Sequence, residues 1–238
     1  MEPMPEWQRM LAVVAHPDDL EYGAASAIAR WTAEGRSVSY LLVTRGEAGI
    51  DGLSPEKAGP IREDEQRASA AVVGVEDVTF LDYPDGTVAY GVDLRADITA
   101  HIRRVRPDVL LTTTGELTYG ERSLNQADHR VVSLAALDAA RDAGNRWIHR
   151  DQLDEGLEPW NGVEHVYLIG TPTPTHGVDV SDWLDKGIAS LCQHRAYLDG
   201  LGREFDPEMF IRMMTAHGGQ LFGSAHAVVL EQIQLAGV

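Results

Sequence analysis

The pattern of apolar and polar positions in the first half of the chain predicts a strand, a helix and a second strand, in that order. Short apolar runs at Met10–Ala15 and Val38–Thr44 have the length and composition of buried strands. Between them, apolar residues recur at helical spacing from Leu20 to Trp31, and Gly35 follows as a stop signal. This alternation predicts parallel β-α-β units with helices on both faces of the sheet.

The later part of the chain continues this pattern less regularly. Further strands are predicted at Val78–Leu81, Asp108–Thr113 and Val166–Ile169. Further helices are predicted at Ile61–Val73 with Pro60 in the first turn, Leu94–Arg104, Val131–Ala143, Trp183–Leu198 and Pro207–Ala216, with a loop over Arg45–Gly59. The segment Val228–Leu235 fits a strand or a helix. We therefore expect an α/β fold with a mostly parallel sheet and a C-terminal elaboration, forming one domain over residues 1–238.

Composition narrows the classes of function. The 238 residues carry 20 Lys and Arg against 37 Asp and Glu, a net charge of −17, which argues against general binding to nucleic acid or anionic membranes. The lone Cys192 excludes an intrachain disulfide and fits a reducing compartment. Neither a targeting segment nor an apolar run of roughly 18 residues is apparent. We expect a soluble cytoplasmic protein.

The strongest local feature is the segment Ala15–Glu21, Ala-His-Pro-Asp-Asp-Leu-Glu, where the first strand ends and a helix begins. Ligands of open α/β sheets bind at this carboxyl edge. His16 and Asp19 are three residues apart, so one turn brings an imidazole and a carboxylate together as zinc or a similar cation requires. Asp18 lies close enough to act on a metal-bound water without being a ligand. Alternatively, Asp18 or Asp19 caps the helix and His16 is a core histidine.

A catalytic zinc site needs a third protein ligand and an open position. The candidate is His129, which lies just before a predicted helix in the segment Gln-Ala-Asp-His-Arg. The preceding strand Asp108–Thr113 brings this loop to the same carboxyl edge. Each of the other histidines is individually more typical of the surface or the core.

Four sequence blocks stand in the order and spacing of a known family. They are Ala15–Glu21; Thr44, Gly46, Glu47 and Gly49; Arg62, Glu63 and Glu65 with Val73-Gly74-Val75; and Arg106-Pro107-Asp108. Through them the chain resembles the LmbE-like, or PIG-L, family of metal-dependent N-deacetylases over roughly residues 10–200. The resemblance implies a Rossmann-like fold, Zn²⁺ bound by His16, Asp19 and His129, and Asp18 as the general base. Fe²⁺ or another divalent ion also suits this ligand set.

One departure from the family concerns the later metal motif, which usually has the sequence His-Pro-Asp-His. In the family, the first histidine of this motif stabilises the tetrahedral oxyanion or assists proton transfer. Here it is replaced by Gln126. Glutamine donates a hydrogen bond but carries no proton at neutral pH. Three outcomes are open: Gln126 acts as a neutral oxyanion donor, a histidine such as His194 or His226 takes its place, or activity is weak or lost.

Four further residues are candidates for supporting roles. Arg62 binds a polar part of the substrate or forms an ion pair with Glu47 or Glu65, and Glu47 is itself a substrate-binding candidate. Tyr119 and Arg122 belong to the loop Gly115–Asn125, which we expect to form part of the substrate wall.

Two further acids are expected to support neighbouring residues and not to take part in the reaction directly. Asp128 orients a ligand histidine or caps the helix that follows it, and Glu21 supports the turn or the first helix.

The favoured function is a zinc-dependent hydrolase that removes an N-acyl group, in the first place acetyl, from a small amino-sugar derivative. The alternatives are an amidase acting on a thiol conjugate or a natural-product intermediate, and a metal-binding accessory protein of little or no activity, suggested by Gln126. A nucleotide binder is disfavoured because the first strand leads into acidic residues and not into a glycine-rich turn. The sequence leaves open whether the chain forms a homo-oligomer.

Overall fold

A computed structural model describes residues 1–119, 122–202 and 204–235 of the chain. Its strands are β1 (Glu2–Pro3), β2 (Arg9–Val14), β3 (Ser37–Leu42), β4 (Asp77–Phe80), β5 (Val109–Thr113), β6 (Thr118–Tyr119), β7 (Ser123–Leu124), β8 (His165–Ile169), β9 (His176–Asp179) and β10 (Ala227–Gln234). Its helices are α1 (Asp19–Gly23), α2 (Ala25–Ala33), α3 (Pro55–Val72), α4 (Val92–Val105), α5 (Ala127–Asp142), α6 (Asp151–Asp154), α7 (Leu184–Leu191), α8 (Arg195–Gly200) and α9 (Pro207–Phe222).

Among the described residues, the main sheet has eight strands in the order β1-β9-β10-β8-β5-β2-β3-β4, and β6 pairs with β7 in a separate small hairpin. Strands β2, β3, β4, β5 and β8 run parallel, whereas β10 is antiparallel to both of its neighbours. In the centre, Met10 of β2 pairs with Val38 of β3 on one side and Val109 of β5 on the other. The carboxyl ends of these parallel strands therefore share one edge.

Strand β2 is buried on both faces, as its unbroken apolar run predicts. Alternate residues Met10, Ala12 and Val14 pack with α2, including Trp31, while Leu11 and Val13 pack with α4 and α5 on the other face. The predicted α/β fold with a mostly parallel sheet and helices on both faces is confirmed. In the described parts of the chain, every helix is too short or too polar to cross a membrane.

Helix α3 begins at Pro55, five residues earlier than predicted. Ser54 occupies the N-cap position and Pro55 the first helical position, where a missing N–H costs little, so the helix starts there. Pro60 consequently lies inside the helix and not in its first turn. The helix stops as predicted before Gly74, which has a φ of +79°.

Two other predicted helices are interrupted, and one ambiguous segment is settled. The first predicted helix breaks at Ala24 into α1 and α2, and the helix predicted from Trp183 breaks after Leu191. At the second break the chain turns so that His194 is fully buried beside Glu21. The ambiguous C-terminal segment is the strand β10, because it fills the place between β8 and β9.

Helix α7 belongs to the C-terminal elaboration and packs closely against α2. Gly187 faces Ser26, and a Cβ at this position would lie 2.9 Å from the backbone nitrogen of Ser26 and 3.1 Å from its Cα. Since the nearest atoms include backbone, a larger residue can be accommodated only if the two helices separate. This contact couples the elaboration to the face of the sheet that carries α1 and α2.

We expect Gly187→Val to destabilise the protein by about 2–3 kcal/mol, because it overpacks a helix contact that cannot relax. The melting temperature should fall by about 4–12 °C for a domain of this size. The control is Lys186→Ala, an exposed substitution on the same helix that should change stability by no more than about 0.5 kcal/mol. Equal melting temperatures for the two variants would contradict the close packing of α7 on α2.

Candidate metal centre and active site

The Ala-His-Pro-Asp-Asp segment forms a turn at the carboxyl end of β2. Asp19 begins α1, and its Oδ2 accepts hydrogen bonds from the backbone nitrogens of Ala15 (3.0 Å) and His16 (2.9 Å). The carboxylate therefore closes the turn on itself, in the manner of an aspartate that caps a turn. Its other oxygen, Oδ1, points to His129 at 2.9 Å.

Three predicted ligands come together at this turn. The Nδ1 atom of His16 lies 3.2 Å from Nε2 of His129 and 3.8 Å from Oδ2 of Asp19. One ligand atom from each of the three residues lies within 4.8 Å of the other two. We call His16, Asp19 and His129 the His/Asp cluster. The strand edge assembles residues that lie more than 100 positions apart in the sequence.

The donors of the His/Asp cluster fit a divalent cation. Two imidazole nitrogens face each other, and such a pair makes at most one hydrogen bond between them, whereas a shared cation satisfies both lone pairs. Two nitrogens and a carboxylate are ligands that zinc and related ions accept. The outward nitrogen of each histidine is bound by other side chains, as is usual for metal-binding histidines.

His16 is held from behind by two carboxylates. Its Nε2 lies 3.1 Å from Oδ1 of Asp85 and 3.3 Å from Oδ2 of Asp128. Asp128 in turn accepts hydrogen bonds from the backbone nitrogens of Gly86 (2.7 Å) and Val88 (3.2 Å). This geometry agrees with the orienting role expected of Asp128.

The carboxylates and imidazoles shift each other's protonation. Burial lowers the pKa of His16, but hydrogen bonds to Asp128, Asp19 and Asp85 outweigh it and raise that pKa to about 12. Burial raises the pKa of Asp19, yet the neighbouring His129 and His16 hold it well below its usual range. Asp19 is consequently ionised, and a cation at the cluster competes with a proton for His16.

His129 is held by neutral partners. Its Nδ1 lies 3.0 Å from Oδ1 of Asn125 and 2.7 Å from the hydroxyl oxygen of Tyr119. The amide oxygen of Asn125 can only accept, so Nδ1 carries a proton, and Nε2 is the ring nitrogen that faces Asp19 and His16. Asn125 is fully buried, and its Nδ2 donates to the carbonyl oxygens of Thr114 and Glu116, both at 2.9 Å. These two hydrogen bonds fix the orientation of the Asn125 side-chain amide.

Asp18 lies beside the His/Asp cluster and is paired with Arg62. The guanidinium Nη2 donates to Oδ2 of Asp18 (2.5 Å) and to the carbonyl oxygen of Pro17 (2.8 Å). Burial raises the pKa of Asp18 to about 7, although Arg62 acts in the opposite direction. A carboxylate with a pKa near neutrality is suited to accept and return a proton.

The ion pair of Arg62 is not the one expected from the sequence. The residue is only 3% exposed, and its ion pair is formed with Asp18 and not with Glu47 or Glu65. The physical reason is a close approach of the loop after β3. Gly46 has a φ of +63°, accepts a hydrogen bond from Arg62 Nη1 through its carbonyl oxygen (2.9 Å), and leaves no room for a Cβ beside the guanidinium.

Glu47 and Tyr119 make contacts within the protein. Oε1 of Glu47 accepts a hydrogen bond from the backbone nitrogen of Asp85 at 2.8 Å, and so holds the loop after β4 beside His16. Tyr119 is half-buried against His129, and burial raises the pKa of its hydroxyl. Arg122 is exposed, while residues 120 and 121 of the expected substrate loop lie outside the described residues.

Gln126 is exposed at the N-cap position of α5, three residues before His129. The histidines that were considered as substitutes for it lie in other contacts. His194 is fully buried with Nε2 3.7 Å from Oε2 of Glu21, and His226 has its Nδ1 2.9 Å from the hydroxyl of Thr215. Neither histidine belongs to the His/Asp cluster.

Sequence reasoning missed three residues of this region: Asp85, Asn125 and Gln66. Asp85 stands in a Pro-Asp-Gly turn after β4, at the same carboxyl edge as the His/Asp cluster, and this placement was a usable signal. Asn125 precedes His129 by four residues, which is one helical turn. Gln66 accepts a hydrogen bond from the backbone nitrogen of Asp18 at 2.9 Å through its amide oxygen. No neighbouring residue in the sequence indicates this contact.

Comparison with known proteins identifies the family. A family model described as PIG-L, GlcNAc-PI de-N-acetylase, matches residues 11–140. A diacetylchitobiose deacetylase of Thermococcus kodakarensis is 28% identical over 229 residues, covering 95% of this chain and 83% of the relative. A 1D-myo-inositol 2-acetamido-2-deoxy-alpha-D-glucopyranoside deacetylase of Geodermatophilus obscurus is 36% identical over 231 residues, covering 80% and 78% respectively.

A solved structure is similar over nearly the whole chain. The N,N'-diacetylchitobiose deacetylase from Pyrococcus horikoshii, complexed with its inhibitor MPG, matches with a TM-score of 0.87 at 25% identity, covering 96% of this chain and 85% of that one. These relatives are named deacetylases, which are amide hydrolases. Because the family model matches more than half of the chain, including the turn with His16 and Asp19, the chain belongs to the PIG-L family.

Proposed function

We propose that this protein is a metal-dependent hydrolase that removes the acetyl group from the 2-acetamido group of a small amino-sugar derivative. The observation that carries the proposal is the convergence of His16, Asp19 and His129 beside the buried carboxylate of Asp18. The names of the relatives support the substrate class, since they act on diacetylchitobiose and on an acetamido-glucopyranoside. Zn²⁺ is the favoured ion, and Fe²⁺ or another divalent ion suits the same donors.

His16, Asp19 and His129 would hold the ion, which when bound supplies a Lewis acid for the amide carbonyl and the attacking water. Asp18 accepts a proton from that water as its oxygen bonds to the carbonyl carbon. Asp18 then returns the proton to the amide nitrogen as the C–N bond breaks, which leaves acetate and a free amine. The raised pKa of Asp18 suits both transfers, because base and acid must operate near the same pH.

The other side chains keep these groups in place or face the substrate. We propose that Asp128 and Asp85 orient His16, that Glu21 supports the turn, and that Tyr119 lines the substrate wall. Glu47 accepts a hydrogen bond from the backbone nitrogen of Asp85. We propose that it affects substrate binding indirectly, by holding the loop after β4 in place.

Arg62 and Gln126 have roles distinct from these. Arg62 is engaged with Asp18, so we propose that it orients the base and does not meet the substrate at the surface. Gln126 lies at the N-terminus of α5, where the helix dipole favours negative charge. We propose that its amide donates to the oxyanion that forms when water adds to the carbonyl.

We expect His16→Ala and His129→Ala to abolish stoichiometric metal binding, because each removes one of three protein ligands. Purified wild-type protein should carry about one divalent ion per chain by elemental analysis. His217→Ala, an exposed substitution on α9, is the control and should retain the ion. Equal metal content in all three variants and the wild type would refute the assignment of the ligands.

We expect Asp18→Asn to retain the metal while kcat falls by about 10²–10⁴-fold, because the amide cannot accept the proton. Free amine release is measured with N,N'-diacetylchitobiose, N-acetylglucosamine and the 2-acetamido-glucopyranosyl inositol. The control is Asp64→Asn, an exposed acid on α3 that should keep full activity. Loss of the metal in Asp18→Asn would mean that Asp18 is a ligand and not the base.

We expect Gln126→Ala to lower kcat by about 10²-fold with little change in KM, because the lost hydrogen bond forms only with the oxyanion. Gln8→Ala, which truncates an exposed glutamine before the amino end of β2, should leave kcat unchanged. An unaffected kcat in Gln126→Ala would remove Gln126 from the mechanism. A wild-type protein that binds metal but releases no amine from any substrate would instead favour the accessory protein.

A further inference from the structure

Helix α3 presents a buried polar face to the turn that carries Asp18. Arg62, Gln66 and Ser69 are spaced by four and three residues, so they lie on one side of the helix, and all three are buried. Buried polar side chains are retained only where partners satisfy them. Here the partners are atoms of the segment Pro17–Glu21.

Gln66 is 1% exposed and uses both ends of its amide. Its Oε1 accepts the backbone N–H of Asp18 at 2.9 Å, and its Nε2 donates to Oε1 of Glu21 at 2.8 Å. A backbone N–H can only donate and an ionised carboxylate can only accept, so the orientation of the amide is determined by its two neighbours. Ser69 donates to the same oxygen of Glu21 at 2.7 Å, which fixes this carboxylate.

The bond to Gln66 acts on a backbone position that most residues avoid. Asp18 has a φ of +79° and a ψ of −18°, and its side chain does not cap the helix that it precedes. Left-handed backbone is disfavoured for L-residues and persists where surrounding contacts impose it. The conformation of Asp18 therefore needs an external restraint.

Both polar groups of the peptide between Pro17 and Asp18 are bound by α3. Arg62 donates to the carbonyl oxygen of Pro17 at 2.8 Å, and Gln66 accepts from the nitrogen of Asp18 at 2.9 Å. Two side chains one helical turn apart therefore hold one peptide plane from two sides. The direction of the Asp18 side chain follows from that plane, because the Cβ position is set by the backbone.

We propose that Gln66 is a positioning residue, whose amide holds the backbone of Asp18 so that its carboxylate is directed to the reacting atoms. The inference rests on the proposed role of Asp18 as the base. A purely structural role of Gln66 predicts loss of stability alone, whereas a positioning role predicts a loss of kcat that depends on Asp18.

The first test is Gln66→Met, which keeps the length of the side chain and removes both hydrogen bonds. We expect kcat to fall by about 10²-fold, the effect of misplacing a catalytic group by about 1 Å, with KM and metal content nearly unchanged. The matched control is Gln152→Met. Gln152 is also buried, accepts from Arg103 (2.9 Å) and donates to the carbonyl oxygen of Ala96 (2.8 Å), away from the turn.

Gln152→Met should lower the melting temperature without lowering kcat. Wild-type kcat in Gln66→Met, or an equal loss of kcat in both glutamine variants, would overturn the proposal.

The second test is a double-mutant cycle with Asp18→Asn. If Gln66 acts through the carboxylate of Asp18, then Gln66→Met should change the residual rate of Asp18→Asn by less than about threefold. A further loss of about 10²-fold in the double variant would show that Gln66 acts independently of Asp18. Full activity of Asp18→Asn alone would refute the base assignment itself, which separates failure of the proposed function from failure of this inference.

A third variant keeps the proposal testable if Gln66→Met does not fold. The exchange of Glu21→Gln with Gln66→Glu retains one carboxylate and one amide at the same two positions. The carboxylate at position 66 still accepts from Asp18, and the amide at position 21 donates to it. We expect the exchange to have at least tenfold higher kcat than Gln66→Glu alone, which places two carboxylates side by side. Equal rates in the two folded variants would contradict the proposal.

Discussion

The arrangement of the site depends on how the carboxylate of Asp19 is divided between two tasks. One oxygen accepts hydrogen bonds from the backbone N–H groups of Ala15 and His16, and these bonds close the turn after β2. The other oxygen faces His129 from a different part of the sheet edge. Without the first bonds the turn would not be closed on itself; without the second, His129 would lose its contact with the carboxylate of Asp19. Local geometry and the assembly of the His/Asp cluster are thus linked through one side chain.

The charge of the site follows from the same arrangement. Asp19, Asp85 and Asp128 surround His16, whereas Arg62 offsets Asp18. Buried carboxylates are costly unless cations or hydrogen-bond donors compensate them. In the described structure, protonated His16 supplies part of this compensation, as its raised pKa indicates. A divalent ion at the His/Asp cluster would supply it more fully, and would displace the proton from His16.

Most of the fold and the centre of the site could be predicted from local patterns. The strand that ends at Ala15, the spacing of His16 and Asp19, and the helix after His129 all carry information within a few residues. The contacts of Gln66 with Asp18 and of Asp85 with His16 could not be predicted in this way. They depend on which face α3 turns to the sheet edge and on the path of the loop after β4. Both are set by tertiary packing and not by neighbouring residues.

The two histidines of the His/Asp cluster have different hydrogen-bond partners, and this difference bears on their chemistry. His16 is bound at Nε2 by carboxylates, which stabilise positive charge on the ring and increase its strength as a donor. His129 is bound at Nδ1 by the amide of Asn125 and the hydroxyl of Tyr119, which orient the ring without adding charge. The ring with charged support lies in the turn that also carries Asp18, while the ring with neutral support lies on α5 near Gln126. The charged support of the His/Asp cluster therefore falls on His16, whereas His129 is oriented by neutral groups. The two rings would therefore bind a cation with different donor strength, with His16 as the stronger donor.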